Sequence, residues 1–130
     1  MRIPLGILVG ARSGDKGGNA NVGLWADDDE VARWLLGYFD VEAFRGVLPE
    51  AGGLVVERYT LPNLGAVNFV VRGFLGSGVA ANLRADGQAK GTAELVRSRP
   101  VMVPAALARR PGPARRAERW ASPVLRPGAL

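Results

Sequence analysis

The stretch "ARSGDKGGNANVG" (residues 11–23) holds an arginine, an aspartate, a lysine, two asparagines and four glycines, and it follows directly on the apolar run "PLGILVG". This polar, glycine-rich interruption limits what the first third of the chain can build. The short aliphatic run Pro4–Gly10 reads as a buried strand. "ANVGLWA" (20–26) reads as a second strand, antiparallel to the first across the glycine loop. Spacing leaves two readings of the loop open. Consecutive amides in a glycine-rich turn form an anion-binding nest, to which Arg12 and Lys16 would add positive charge; alternatively, the segment is a hairpin connection whose polar groups face water. It is neither of the common phosphate loops. A Walker A needs Gly directly before Lys and Ser or Thr after it, whereas Lys16 lies between Asp15 and Gly17. A dinucleotide fingerprint needs G-x-G-x-x-G opening a helix.

"DDDEVARWLLGYF" has the signature of a helix start, with Asp27 as N-cap and Glu30 three residues on. Val31, Trp34, Leu35 and Tyr38 then fall on one helical face. A second helix is expected from Asp40, turning Val41, Phe44 and Val47 inward and ending at Pro49. "LVVERYTLP" (54–62) is β-branched and aromatic, the clearest strand of the chain. "LGAVNFVVRGFLG" is ambiguous. The spacing of Leu64, Val67, Val71 and Leu75 favours a helix opening near Asn63. "VAANLRAD" reads as a weak strand, and "GQAKGTAELVR" as a turn followed by a short helix.

From Arg97 to the end the chain carries eight arginines against one acid, Glu118, so the remainder is slightly acidic and the high pI describes the C-terminus alone. Six of the nine prolines also fall there. Residues 97–130 are therefore expected to be an arm or tail beside a single domain over 1–96. The plain expectation is a solvated tail; as a functional arm it suits acidic surface on a partner or another protomer, since guanidinium groups bind carboxylates bidentately. Phosphate contacts with nucleic acid are a weaker expectation, because Trp120 is the arm's one aromatic and no base-reading motif is present.

With no cysteine and no histidine, the chain has no disulfide, thiolate nucleophile or imidazole base, and no Ser-His-Asp triad. Catalysis would rest on carboxylates, Lys16 or Lys90, arginines, hydroxyls or backbone amides. The carboxylates at 27–30 read as capping and helix-dipole groups in preference to a hard-metal site, and no metal is expected. Asp15, Glu57 and Asp86 are the carboxylates from which an acid–base pair would be drawn. Asn63 and Asn68 are amides in an apolar stretch, which either cap backbone or face a ligand. No apolar run reaches the roughly 20 residues that cross a bilayer, and a soluble, cytoplasmic protein is expected.

Taken together, "ARSGDKGGNANVGLWA" and "VERYTLPNLGAVNFVVRGFLGSGVAANLRADGQAKG" resemble the small ferredoxin-like domain of the acyclic terpene utilisation proteins of the AtuA type, over about Ile7 to Val96. Ser13, Gly14, Asp15, Lys16, Gly17, Asn21 and Gly23 match, as do Leu61, Pro62, Asn63, Leu64, Asn68, Phe69 and Gly78. Where the family's loop reads S-G-D-K-G-D followed by a small hydroxyl residue, this chain has Gly18 and Asn19. The resemblance implies an α+β two-layer sandwich, an antiparallel sheet with helices on one face. It also implies work in acyl-CoA, terpenoid or branched carboxylic acid metabolism beside a larger AtuA-type protein or another acyl-CoA enzyme, in a homo- or hetero-oligomer. No tightly bound cofactor is expected; coenzyme A would enter as part of a substrate. On this reading Asp15 would carry a proton and Lys16 would polarise a thioester carbonyl in hydratase or dehydratase (lyase) chemistry. Arg12, Ser13, Gly14, Gly17, Asn19, Asn21, Asn63 and Asn68 would bind the ligand. The competing expectation is a non-catalytic subunit docked on a partner enzyme.

Overall fold

A computed structural model describes residues 1–74 and 90–109. Its centre is a four-stranded antiparallel sheet in the order β2-β3-β5-β4, with β2 at Gly10–Lys16, β3 at Asn19–Trp25, β4 at Val56–Leu61 and β5 at Ala66–Val71. A separate two-stranded ribbon pairs β1 (Arg2–Pro4) with β6 (Pro100–Met102). The helices among the described residues are α1 (Asp29–Tyr38), α2 (Val41–Val47), α3 (Lys90–Ser98) and the single turn α4 (Ala105–Ala108). The fold is the expected α+β class. Helices lie against one face of the sheet, α1 against β5, α2 against β4 and α3 against β2.

Strand alternation produces the two layers. Ala20, Val22 and Leu24 on β3, and Val67, Phe69 and Val71 on β5, are buried on the helical side. Phe44 of α2 stacks on Phe69 with ring centroids 4.2 Å apart, and Phe39 meets the same ring edge-on at 6.0 Å. Such aromatic pairs add roughly 1 kcal/mol each beyond their buried area. At the end of α1 the Arg58 guanidinium, from β4, donates to the carbonyls of Leu35, Leu36 and Phe39.

The glycine-rich segment is itself a hairpin. Gly10–Lys16 and Asn19–Trp25 pair along their whole length, Lys16 opposite Asn19, so only Gly17 and Gly18 are turn residues. Both have positive φ (58° and 93°). That is the requirement of the type I′ turn, whose twist matches the flanking strands. Gly18 thus occupies a turn position that glycine fills without steric cost.

Several sequence expectations give way here. Pro4–Gly10 is not one strand: after β1 the chain makes a 3₁₀ turn at Leu5–Ile7, with Leu8 and Val9 donating back to the Leu5 carbonyl. Leu5, Leu8 and Val9 are nonetheless buried, since an unbroken apolar run specifies burial without specifying period. The segment after Asn63 is the strand β5 and not a helix. Its alternation of buried Val67, Phe69 and Val71 outweighs the coincidental helical spacing. The N-cap of α1 is Asp28, one residue later than expected, and its Oδ1 accepts from Glu30 N and Val31 N. Tyr38 is 76% exposed; Phe39 takes the buried place expected of it. Asp40 caps α2 as expected.

The folded body also continues past the boundary expected at Val96, which falls inside α3. Val103, Leu107 and Ala108 join the core, and Arg99 forms a bidentate pair with Glu50 while donating to the Val47 carbonyl. The weak strand expected at 79–86, and the arm beyond Arg109, lie outside the described residues.

Candidate functional site

The second face of the sheet is covered by no element among the described residues. Read across the strands, it presents three rows. The first is Gly10, Trp25, Ala66 and Leu61; the second Arg12, Gly23, Asn68 and Tyr59; the third Gly14, Asn21, Val70 and Glu57. A groove of about 700 Å³ crosses these rows, lined by Arg12, Ser13, Gly14, Asn21, Gly23, Trp25, Leu61, Leu64 and Asn68.

The hollow exists because glycines supply its floor. A Cβ on Gly14 would meet nothing within 4 Å. One on Gly23 would stand 3.6 Å from Asn68 Oδ1. A glycine inside a strand weakens it, and often marks a place where another group approaches the backbone closely. One wall is apolar, with Trp25, Leu61 and Leu64 all exposed (36%, 45% and 69%). The rest is polar without being acidic: one guanidinium from Arg12 and two carboxamides from Asn21 and Asn68.

Of the residues expected from sequence to bind or react, Arg12, Gly14, Asn21 and Asn68 come together on this face, while Ser13 borders the groove with its side chain on the opposite face. The others do not join them. Asp15 pairs with Ala20, whose side chain is in the core, so it belongs to the helical face of the sheet. Ser13 shares that face; its hydroxyl accepts from Ala93 N at 2.9 Å and ties β2 to the first turn of α3. Lys16 closes β2 at the register position opposite Asn19. Gly17 is a turn residue. Asn19 Oδ1 accepts from Gly73 N at 2.7 Å, joining the hairpin to the turn after β5. Asn63 is exposed on the 3₁₀ turn Pro62–Leu64, where it makes no cap and stands outside the groove lining.

Asp15 and Glu57 cannot serve as an acid–base pair, because they occupy opposite edge strands and opposite faces of the sheet; Asp86 lies outside the described residues. Glu57 is held by Arg72 at 2.8 Å and accepts from the Tyr59 hydroxyl at 3.0 Å, a bond that raises the pKa of that phenol. Among the described residues no three His, Cys, Asp or Glu side chains gather as a metal site, and no helix is long and apolar enough to cross a membrane. Two further hollows, on the helical side, are lined mainly by apolar groups around Trp34 and Tyr38.

Trp25, Gly23, Leu61 and Leu64 were not foreseen as site residues. The available signal was period two: with β3 aligned as a strand, Asn21, Gly23 and Trp25 share a face.

The model of the AtuA ferredoxin-like domain matches residues 3–102. The chain belongs to this family. The match ends at Met102, the last residue of β6, so the family's unit takes in the β1–β6 ribbon as well as the central sheet. Both parts of the signature that carried the resemblance, the hairpin and "LPNLGAVNF", meet on the open face of this AtuA ferredoxin-like domain. Neither a curated protein nor a solved structure matches the chain.

Proposed function

We propose that this AtuA ferredoxin-like domain acts in acyl-CoA, terpenoid or branched carboxylic acid metabolism as a substrate-holding subunit. Any hydration or dehydration step would be completed by a larger AtuA-type protein. The composition of the groove carries this reading. Arg12 suits a carboxylate, which a guanidinium takes bidentately. The carboxamide N–H groups of Asn21 and Asn68 suit the carbonyl oxygen of an acid or thioester. Trp25, Leu61 and Leu64 suit a short branched hydrocarbon chain.

The same inventory favours holding over catalysis. Among the described residues no carboxylate lines the groove, and the register removes Asp15 from its face. A lyase working alone would need a positioned proton carrier within hydrogen-bond reach of its substrate. The subunit reading therefore replaces Asp15 as general acid.

Titration calorimetry of the full chain with 3-methylbutanoate and with 3-methylbutanoyl-CoA tests the proposal. Saturable binding is expected, lost or weakened at least tenfold in Arg12→Ala and in Asn68→Ala. Absence of binding for both probes at millimolar concentration would overturn it, as would hydration of the unsaturated thioester 3-methylbut-2-enoyl-CoA by the isolated chain.

A further inference from the structure

We infer that the open face of the sheet is a docking surface for a second copy of this chain, related by a two-fold axis that runs parallel to the strands between β3 and β5. This inference stands on the face itself: the partner's side chains fill the hollow, so dimer and bound ligand are alternative occupants of one surface.

Such an axis lays β2 of one copy over β4 of the other, β3 over β5, and each row of side chains over the same row of the partner. The residues within each row are complementary under that exchange. In the first row the Trp25 ring lies over Gly10, close enough that a Cβ there would stand 2.3 Å from its Cζ2. The ring is thus displaced toward β2, whose counterpart across the axis is β4, where Leu61 stands. Each copy's indole meets the other's leucine, twice per dimer. In the second row Arg12 at one edge faces Tyr59 at the other, a guanidinium over a ring within the reach of a cation–π contact. At the centre of that row Gly23 faces Asn68, a missing side chain opposite a present one. In the third row Gly14 faces Glu57 in the same way. Small stands over large in row after row, and positive charge over an aromatic ring.

The other in-plane axis, perpendicular to the strands, sets β2 over β2. That brings the Arg12 edges of the two copies together, with no acid on the outward face of that strand to offset them. Charge therefore selects the strand-parallel axis. Face-to-face sheets pack about 10 Å apart, so the glycine hollow at Gly14, Asn21 and Gly23 is closed over by the partner's β5 and β4. Trp, Tyr and Arg anchors of this kind carry most of the energy of such interfaces. A concentration-dependent dimer is expected.

Two measurements on the full chain, without ligand, decide the matter. In sedimentation equilibrium the unmodified protein is expected to dimerise, and Trp25→Ala to weaken the dimer by about tenfold or more. A monomer throughout, up to millimolar concentration, would overturn the inference. Because the chain has no cysteine, the geometry is tested by mixing Gly14→Cys and Glu57→Cys chains with a bis-maleimide of about 10 Å reach. Within one chain these positions lie across three strand spacings, about 14 Å. The expected product links 14 of one copy to 57 of the other. Links of 14 to 14, or no link in a mixture that sediments as a dimer, would overturn the arrangement.

Discussion

Gly23 and Asn68 stand opposite one another on β3 and β5, and the Asn68 carboxamide oxygen lies 3.6 Å from the place a Cβ at residue 23 would occupy. That spacing is ordinary van der Waals contact, so the strand tolerates a methyl group there while the groove loses its floor. Gly23→Ala is expected to leave stability within about 1 kcal/mol of the parent, because the entropic gain in the strand offsets the tighter fit. Gly23→Val fills the hollow. It should abolish binding of 3-methylbutanoate while urea unfolding stays cooperative. Calorimetry and urea titration on the same two variants separate the effects, and unimpaired binding in Gly23→Val would remove the groove from consideration.

Gly10 makes the opposite prediction. A Cβ there would stand 2.3 Å from Trp25 Cζ2 and 2.4 Å from Cε2, so Gly10→Ala must push the indole off the strand. The ring is one-third exposed and has room to move, which keeps the cost at the low end of overpacking, about 1 kcal/mol. The shift should appear as a change in Trp25 fluorescence, measured in a Trp34→Phe, Trp120→Phe background. Trp25→Ala combined with Gly10→Ala should recover the lost stability. A strictly additive double mutant would show that the two residues do not touch.

The Glu50–Arg99 pair ties the end of α3 to the turn after α2, and it gives stability a pH dependence of known sign. The hydrogen bond from Arg99 holds the Glu50 carboxyl below its ordinary pKa and raises that of Arg99. A carboxyl whose folded pKa is depressed stabilises fully above its unfolded value, and the contribution is lost as pH falls through the folded value. Both side chains are about three-quarters buried. Glu50→Gln should therefore cost about 1–2 kcal/mol near neutrality. Urea midpoints of parent and variant should converge as pH falls from 6 to 3. Parallel curves over that range would assign the pair no role.

How far the chain could be read in advance depended on whether a local rule had a competitor. The Asp40 cap and the strand at Val56–Leu61 were legible because capping chemistry and β-branched composition act locally, with nothing opposing them. The segment at Ala66–Val71 was not, since Leu64, Val67 and Val71 satisfy a helical spacing as well as Val67, Phe69 and Val71 satisfy a strand. Only pairing with both β3 and β4 decides between them. The hairpin's polar content suggested a loop because Arg12, Asn19 and Asn21 read as solvent-facing. Arg12 is, on the open side of a strand pair, whereas Asn21 is half-buried in the groove and Asn19 is tied to Gly73. Placing Asp15 beside Asn21 failed for the same reason: neighbours in sequence alternate across a sheet, and a one-residue step changes the face. The packing of Val103 and Leu107 was hidden by the proline-rich composition around them.

Arg58 offers the sharpest test of how the helical layer is fastened. It extends from β4 to the carbonyls at the C-terminal end of α1, with Nη2 2.7 Å from Leu36 O and Nε 3.0 Å from Phe39 O. These carbonyls have no partner within the helix, and a cation there also complements the helix dipole. Arg58→Met keeps most of the aliphatic stem while removing the donors and the charge, and should cost about 2 kcal/mol. Arg58→Lys retains the charge but not the planar fork that spans three acceptors, so it should recover less than half of that loss. Raised salt screens the dipole contribution and leaves the hydrogen bonds, so the parent's advantage over Arg58→Met should persist at 1 M NaCl. Urea titrations of the three proteins at low and high salt provide the check. An Arg58→Lys variant as stable as the parent would reduce the interaction to its charge alone.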